Sequence, residues 1–206
     1  MGTPVTTSET TRAREPAEAE QRRPTRLSRF FPDVSSMRIQ FEWRVAAMAR
    51  RGVAMFEEVH EPGVCRFFGA GLDQFFTQEI TSDFLNCLRR LGQARFRAGH
   101  ASSPQVELYT AGCMRGLGCE STPARYRYVF VLGPRNGKSG VRITVSPSTS
   151  TRRFSFLPRF GWTHAIEACY GELIVHDAAH AFAVEPALCK SDSLLSATVL
   201  LSGHLW

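Results

Sequence analysis

The sequence lacks several features that would place it in common protein classes. No apolar run reaches the ~18 residues that a membrane-spanning helix needs, and the N-terminus has no apolar segment of the secretory type. None of the six cysteines forms a Cys-x-x-Cys pair. These absences favour a reduced, intracellular compartment, the cytoplasm, over a disulfide-bonded or membrane-spanning protein.

Lysine is also scarce, because two lysines stand against 23 arginines. The stretch from 115 to 159 holds nine basic residues and one acidic residue, which makes it the most basic part of the chain. Within it, Arg125, Arg127 and Arg142 lie on predicted strands, where they can line one Arg-rich face. Planar guanidinium groups suit phosphate or carboxylate recognition, so this face predicts a protein partner or a polyanion such as nucleic acid. The alternative is a solvated surface without a partner.

Residues 1–36 contain little that would build a core. They are rich in Thr, Ser, Pro, Glu and Arg and lack apolar periodicity up to Phe30. We predict a disordered N-terminal arm over 1–36 and a single globular domain over 37–206. Gly2 followed by Thr6 fits the pattern for N-myristoylation, and one such chain would give only weak, reversible membrane association.

The globular part begins with helical patterns and continues with strands. Apolar residues recur at helical spacing over 77–91, which predicts an amphipathic helix. The segment 37–52 fits both a strand and a helix, and its Ala-rich second half favours the helix. Seven strands are predicted after these helices, at 105–110, 125–132, 141–145, 153–157, 172–175, 182–184 and 194–201. Helices followed by strands indicate an α+β fold with a sandwich or barrel core.

The order of these elements resembles a known family. The runs VELYTAGCMRGLGCES, RYRYVFVL, SGVRITV, GELIVHDAAHAFAVEP and ATVLLSGHLW resemble the core of the Fe(II)/2-oxoglutarate oxygenases, in the prolyl-hydroxylase-like branch. The resemblance covers about residues 60 to 206. It implies N-terminal helices packed on a double-stranded β-helix, a jelly-roll-like core, with Fe(II) and 2-oxoglutarate as the cofactors of an active member.

The positions that carry the family's chemistry depart from its pattern. Two imidazoles and one carboxylate hold the iron in these enzymes. Where the His-x-Asp pair is expected, this chain has Gly118, Cys119 and Glu120, and the distal histidine is expected at Phe182. The basic residue that binds 2-oxoglutarate is expected near Thr198. Glu120, His176 and His180 therefore remain as weak metal-ligand candidates.

Other constellations offer weaker alternatives. His176 and His180, with Asp177 between them, imitate a zinc-protease helix motif, but the flanking segments favour strands. A hydrogen-bonded turn at His176 and Asp177 is the plainer interpretation.

These patterns together predict a non-catalytic binding or regulatory protein on a degenerate oxygenase-like fold, with no cofactor. Tyr109 and the three arginines named above are its candidate binding residues. A short basic body of this kind would fit an accessory protein of a large DNA virus. The alternatives are an active Fe(II)/2-oxoglutarate oxygenase with atypical ligands and an Arg-rich nucleic-acid-binding protein.

Overall fold

A computed structural model describes residues 23–61, 64–69, 71–110, 113–118, 122–133, 141–146, 163–185 and 197–206. Within these ranges the chain forms two α-helices and eleven β-strands. The helices are α1 (Val34–Arg50) and α2 (Gln78–Leu91). The strands are β1 (Thr25–Leu27), β2 (Phe56–Glu61), β3 (Val64–Gly69), β4 (Gln105–Tyr109), β5 (Met114–Gly118), β6 (Tyr126–Gly133), β7 (Val141–Ser146), β8 (His164–Ala168), β9 (Leu173–Asp177), β10 (Ala181–Val184) and β11 (Thr198–Leu205).

Helix α1 resolves the ambiguity of segment 37–52. Met37, Phe41 and Val45 are buried at a spacing of four, which is one face of a helix, whereas Ile39 and Trp43 are exposed. Helix α2 confirms the predicted helix over 77–91, with Phe84 and Leu88 buried.

The strands form two sheets that face each other. The first has the order β4-β11-β6-β9, with the short β1 added beside β9, and the second has the order β5-β10-β7-β8. Strand β3 pairs with both β4 and β5 and so joins the two sheets, while β2 pairs with β3. All of these pairs are antiparallel. This is the double-stranded β-helix that the sequence predicts, and the α+β class is confirmed.

Each face of the first sheet packs against a different layer. Because side chains alternate along a strand, Tyr128, Phe130 and Leu132 of β6 point toward the helices, where they join Phe84 and Phe41 in one apolar core. Val129 and Val131 point the other way, into the space between the sheets. The space between the sheets is therefore a second core.

The structure also differs from the sequence-based expectations. Strand β1 pairs with β9 within the segment predicted to be a disordered arm, so ordered structure begins well before residue 37. Its side chain Arg26 forms a 2.6 Å ion pair with Glu172, which anchors it to the sheet. Strands β2, β3, β5 and β8 were not predicted, and the expected strand at 153–157 lies outside the described residues. No helix in the described part of the chain is long and apolar enough to cross a membrane.

Candidate functional site

The space between the sheets has an apolar end and a polar end. Its apolar end contains Val131, Ile143, Ile166 and Leu200. The polar end lies at the start of β6 and the end of β11. A row of cationic or titratable side chains crosses the first sheet there. His204 of β11 is in register with Arg127 of β6, and Arg127 is in register with His176 of β9. This row marks the candidate site.

Phe182 of β10 lies at the centre of the polar end. Its ring is buried and stacks on the His176 imidazole with a centroid distance of 5.6 Å and an interplanar angle of 11°. The guanidinium carbon of Arg127 lies 4.9 Å from the ring centroid, and that of Arg115 lies 5.3 Å away. Cation–π attraction stabilises both guanidinium groups in this desolvated location. An apolar ring with two cations beside it therefore fills the polar end, which we call the mouth of the barrel.

The backbone register relates Phe182 to the expected positions of the iron ligands. Phe182 is directly opposite Gly118 on the neighbouring strand β5. These are the two positions where the resemblance places the iron-binding histidines, and the structure brings them side by side. The third expected ligand, Glu120, lies outside the described residues.

His176 is held neutral in this location. Its Nδ1 lies 2.9 Å from the backbone oxygen of Asp177, and because a carbonyl oxygen can only accept, Nδ1 carries the hydrogen. Burial, together with the positive charge of Arg127, lowers the pKa of His176 to about 3, although the hydrogen bond to the Asp177 carbonyl opposes this shift. Its Nε2 is buried and has no hydrogen-bond partner among the residues that the structure describes.

Glu107 of β4 balances part of the buried positive charge. One of its oxygens accepts a 2.5 Å hydrogen bond from Ser202 and lies 3.6 Å from an Arg115 nitrogen. The other oxygen accepts a 2.5 Å hydrogen bond from the Tyr109 hydroxyl. The carboxylate thereby ties β4, β5 and β11 together at the polar end.

The predicted site residues are distributed over different environments. Tyr109 and Arg127 are buried inside the barrel, so neither presents its side chain to a macromolecule at the surface. Arg142 is about half exposed and lies within 3.8 Å of Glu167 and 3.5 Å of Glu185. Arg125 is exposed and lies over the Tyr126 ring. The three arginines therefore do not form one surface.

The two histidine candidates lie on either side of a turn. His176 lies in strand β9 rather than in a helix, and the His180 amide donates to the Asp177 carbonyl at 3.0 Å. The Asp177 side chain also accepts from the Ala179 amide at 2.9 Å, which is the hydrogen-bonded turn that the sequence predicts. Gly2, the lipidation candidate, lies outside the described residues.

Sequence reasoning missed Arg115 and Glu107. Glu107 alternates with Val106 and Leu108 in an otherwise apolar strand, and a charged residue at an inward position was the available signal. The partner Arg115 lay in a glycine-rich segment that was not predicted to be a strand.

A ferrous ion does not fit the side chains that the structure describes here. Iron would require two imidazoles and a carboxylate on one face, whereas these positions hold Phe182 and the side-chain-free Gly118, with two guanidinium groups nearby. Among the described residues, no three His, Cys, Asp or Glu side chains are grouped to hold a metal.

Comparisons with solved structures identify the architecture. A prolyl-4-hydroxylase of Pseudomonas putida is similar at a TM-score of 0.56 and 15% identity, with 88% of this chain and 91% of that chain covered. A Trichoplax adhaerens prolyl hydroxylase, solved with a hypoxia inducible factor peptide fragment, is similar at a TM-score of 0.58 and 12% identity, covering 89% and 83%. A viral collagen prolyl hydroxylase of Paramecium Bursaria Chlorella virus-1, solved as a 2OG complex, gives a TM-score of 0.52 and 11% identity, covering 88% and 94%.

No protein-family model matches the sequence, and the comparison with curated proteins found no match. The structural similarity extends over most of the described chain at low identity, so it concerns the fold. The strand order, the position of the helices and these neighbours agree. The chain has the double-stranded β-helix fold of the Fe(II)/2-oxoglutarate oxygenases.

Proposed function

We propose that this chain is a non-catalytic binding or regulatory protein built on the oxygenase fold. The observation that carries the proposal is Phe182, which occupies one expected imidazole position and faces Gly118 at the other. An aromatic ring donates no lone pair to a metal, and glycine has no side chain. At most one expected ligand, Glu120, remains at the family's three positions, and a single carboxylate does not compete with water for Fe(II).

The charges around Phe182 support the same conclusion. Arg115 and Arg127 both lie within about 5 Å of the ring, and guanidinium groups stay protonated at any ordinary pH. A divalent cation placed at the mouth would meet two positive charges in a poorly solvated space, where Coulomb repulsion is weakly screened. The position expected for the 2-oxoglutarate-binding cation is occupied by the buried Thr198.

A specific observation supports one alternative, an active oxygenase with atypical ligands. The buried Nε2 of His176 presents an unshared electron pair and has no partner among the described residues. A histidine whose other nitrogen donates to a backbone carbonyl is also the usual form of a metal ligand. His176 and His180 would supply the two imidazoles that the expected positions lack, and Glu120 would supply the carboxylate.

Anaerobic titration with Fe(II) and 2-oxoglutarate distinguishes the two proposals. We expect no visible charge-transfer band, no stoichiometric iron by metal analysis and no oxygen-dependent formation of succinate. A band that is present in the parent and lost in both His176→Ala and Glu120→Ala would establish the oxygenase. The exposed His100 provides the control, because His100→Ala removes an imidazole that packs on Trp206 and occupies none of the candidate ligand positions.

The remaining sequence-based hypotheses stay as predictions. A protein partner, a cytoplasmic location, an accessory role in a large DNA virus and myristoylation of Gly2 are consistent with the composition. Mass spectrometry of the mature N-terminus tests the last of these, since a retained Met1 or an acetylated Gly2 rules it out.

A further inference from the structure

Two adjoining cavities lie outside the barrel, where β9 and the start of β6 meet the π-helical turn that follows α2. One has a volume of about 200 Å³ and the other of about 280 Å³, and both are lined by Arg95, Phe96 and Tyr126. Arg23 completes the basic lining of the first cavity, and Arg97 and Arg125 complete that of the second. We call these four arginines with the two aromatic residues the arginine groove.

The arginines of the groove lie around one depression without a paired carboxylate in the described part of the chain. No carboxylate among the described residues forms an ion pair with Arg23, Arg95, Arg97 or Arg125, and all four are exposed. Some guanidinium groups elsewhere are paired, as Arg26 is with Glu172 and Arg142 with Glu167, whereas Arg50 and Arg89 are exposed on the helices without an ion pair among the described residues. Four unmatched positive charges around one depression are costly through mutual repulsion, and a polyanion would relieve that repulsion.

The groove also has an aromatic wall. Phe96 is half-buried and packs against Tyr126 with a centroid distance of 5.0 Å, and the Arg125 guanidinium lies 5.3 Å above the Tyr126 ring. A partly exposed ring between cations is the arrangement that proteins use for single-stranded nucleic acid, because bases stack on rings while arginines contact phosphates.

The backbone holds two of the arginines in place. Residues 92–96 form a single π-helical turn, and Arg97 then adopts a φ of 52°, in the left-handed region that is unfavourable for a side-chain-bearing residue. Such backbone strain concentrates at functional sites. The one acidic residue in the lining of the two cavities is Asp177, whose Oδ1 accepts the Ala179 amide.

We propose that the arginine groove binds the phosphodiester backbone of single-stranded nucleic acid. Two contiguous cavities with arginines at both ends suit successive phosphates of one flexible strand. A half-buried ring in the wall favours a ligand with bases over a phosphorylated peptide or a lipid surface. The inference does not depend on any chemistry inside the barrel, although His176 contributes to the lining of the first cavity, and Arg127, which points into the barrel, has no part in it.

Fluorescence anisotropy with labelled 12-nucleotide oligo(dT) and oligo(U), measured over a series of salt concentrations, tests the proposal on the full chain. The test variant is Arg95→Gln with Arg125→Gln. The control variant is Arg50→Gln with Arg89→Gln, which removes the same charge from exposed helical positions. If each groove arginine contacts one phosphate, the log–log salt slope falls by about 1.4 in the test variant, since each contact on a single strand contributes about 0.7. The control leaves the slope unchanged.

Three outcomes overturn the proposal. The first is the absence of binding by the parent chain at low salt. The second is an equal loss of slope in the control variant, which would mean that binding follows net charge alone. The third is groove-dependent binding to phosphatidylserine vesicles without binding to either oligonucleotide, which would assign the groove to a lipid surface.

Discussion

Arg97 has a backbone conformation that favours glycine, so its side chain is retained at a cost in stability. A left-handed conformation costs an ordinary residue about 1–2 kcal/mol, and glycine avoids this cost but loses more entropy on folding. We expect Arg97→Gly to leave the free energy of unfolding unchanged or raise it by up to about 1 kcal/mol, while weakening oligonucleotide binding. Urea unfolding measures the first effect and anisotropy the second. Arg97→Ala is the control, because it removes the same charge without relieving the backbone.

His176 makes stability depend on pH. Its pKa is about 3 in the folded protein because of burial, against about 6.5 when unfolded. Above pH 6.5 the His176 imidazole is neutral in both the folded and the unfolded protein, and its contribution to stability is fully present. As the pH falls below 6.5 only the unfolded state takes up the proton, so stability is lost progressively until the folded pKa is reached.

We expect this loss at His176 to reach about 2 kcal/mol between pH 7 and pH 5. The parent and His176→Phe are compared by urea unfolding at both pH values, because the difference between them cancels the carboxylates elsewhere. Arg127, His180 and His204 are the charged or titratable groups that act on His176, and they remain in both proteins. A difference that is the same at pH 7 and pH 5 would show that His176 titrates normally in the folded state.

Glu107 should be among the most sensitive residues of the barrel. Its removal takes away the carboxylate that lies beside the buried Arg115 and accepts hydrogen bonds from the Tyr109 and Ser202 hydroxyls. Breaking a buried ion pair in this way costs about 3–5 kcal/mol. Chemical denaturation of the parent and of Glu107→Ala measures this loss in the free energy of unfolding. Glu185→Ala, at a partly exposed carboxylate, should change stability by less than about 0.5 kcal/mol.

At the scale of elements, the centre of the first sheet depends on one close approach. A side chain at Gly203 of β11 would meet the Tyr128 hydroxyl of β6 and the Ser102 hydroxyl. The Tyr128 hydroxyl donates to the Ser102 backbone oxygen at 2.8 Å, so it is not free to move away. We expect Gly203→Ala to cost about 1–3 kcal/mol through overpacking.

A double-mutant cycle identifies the cause of that cost. Tyr128→Phe removes the hydroxyl that the new methyl group would meet, so the double variant should lose less stability than the sum of the two single variants, by about 1 kcal/mol. Strict additivity would place the strain elsewhere in β11.

The elements that the sequence predicts best are those with a strong period. Helix α2 and strands β4, β6, β7, β9 and β10 were predicted within a few residues, because apolar positions there alternate with a clear spacing. Strand β1 was missed since three residues cannot show a period, and β5 was missed because its glycines give no apolar signal. Strand β11 was predicted to end too early, since the apolar run ends before Ser202 while the strand continues to Leu205. The first residues of the predicted run, 194–196, lie outside the described residues.

The resemblance indicated which strand positions to compare with the family's ligands, but not which side chains pack around them. The two positions to which the resemblance assigns histidines, Gly118 and Phe182, lie opposite each other on β5 and β10. The stacking of His176 on Phe182 and the convergence of Arg115 from another strand depend on side-chain packing between distant segments. The arginine groove is similarly assembled from residues 23, 95, 97 and 125, whose proximity no local pattern indicates.

At the scale of the whole molecule, the order of strands in space differs strongly from their order in the chain. Strand β11 lies between β4 and β6 in the sheet, although β7, β8, β9 and β10 separate it from β6 in the chain. Both neighbours therefore present open edges until β11 arrives. The order in which the strands are synthesised therefore limits when the first sheet can form. The first sheet cannot close until β11 has left the ribosome, so until then the nascent chain exposes unpaired strand edges to aggregation and to chaperones.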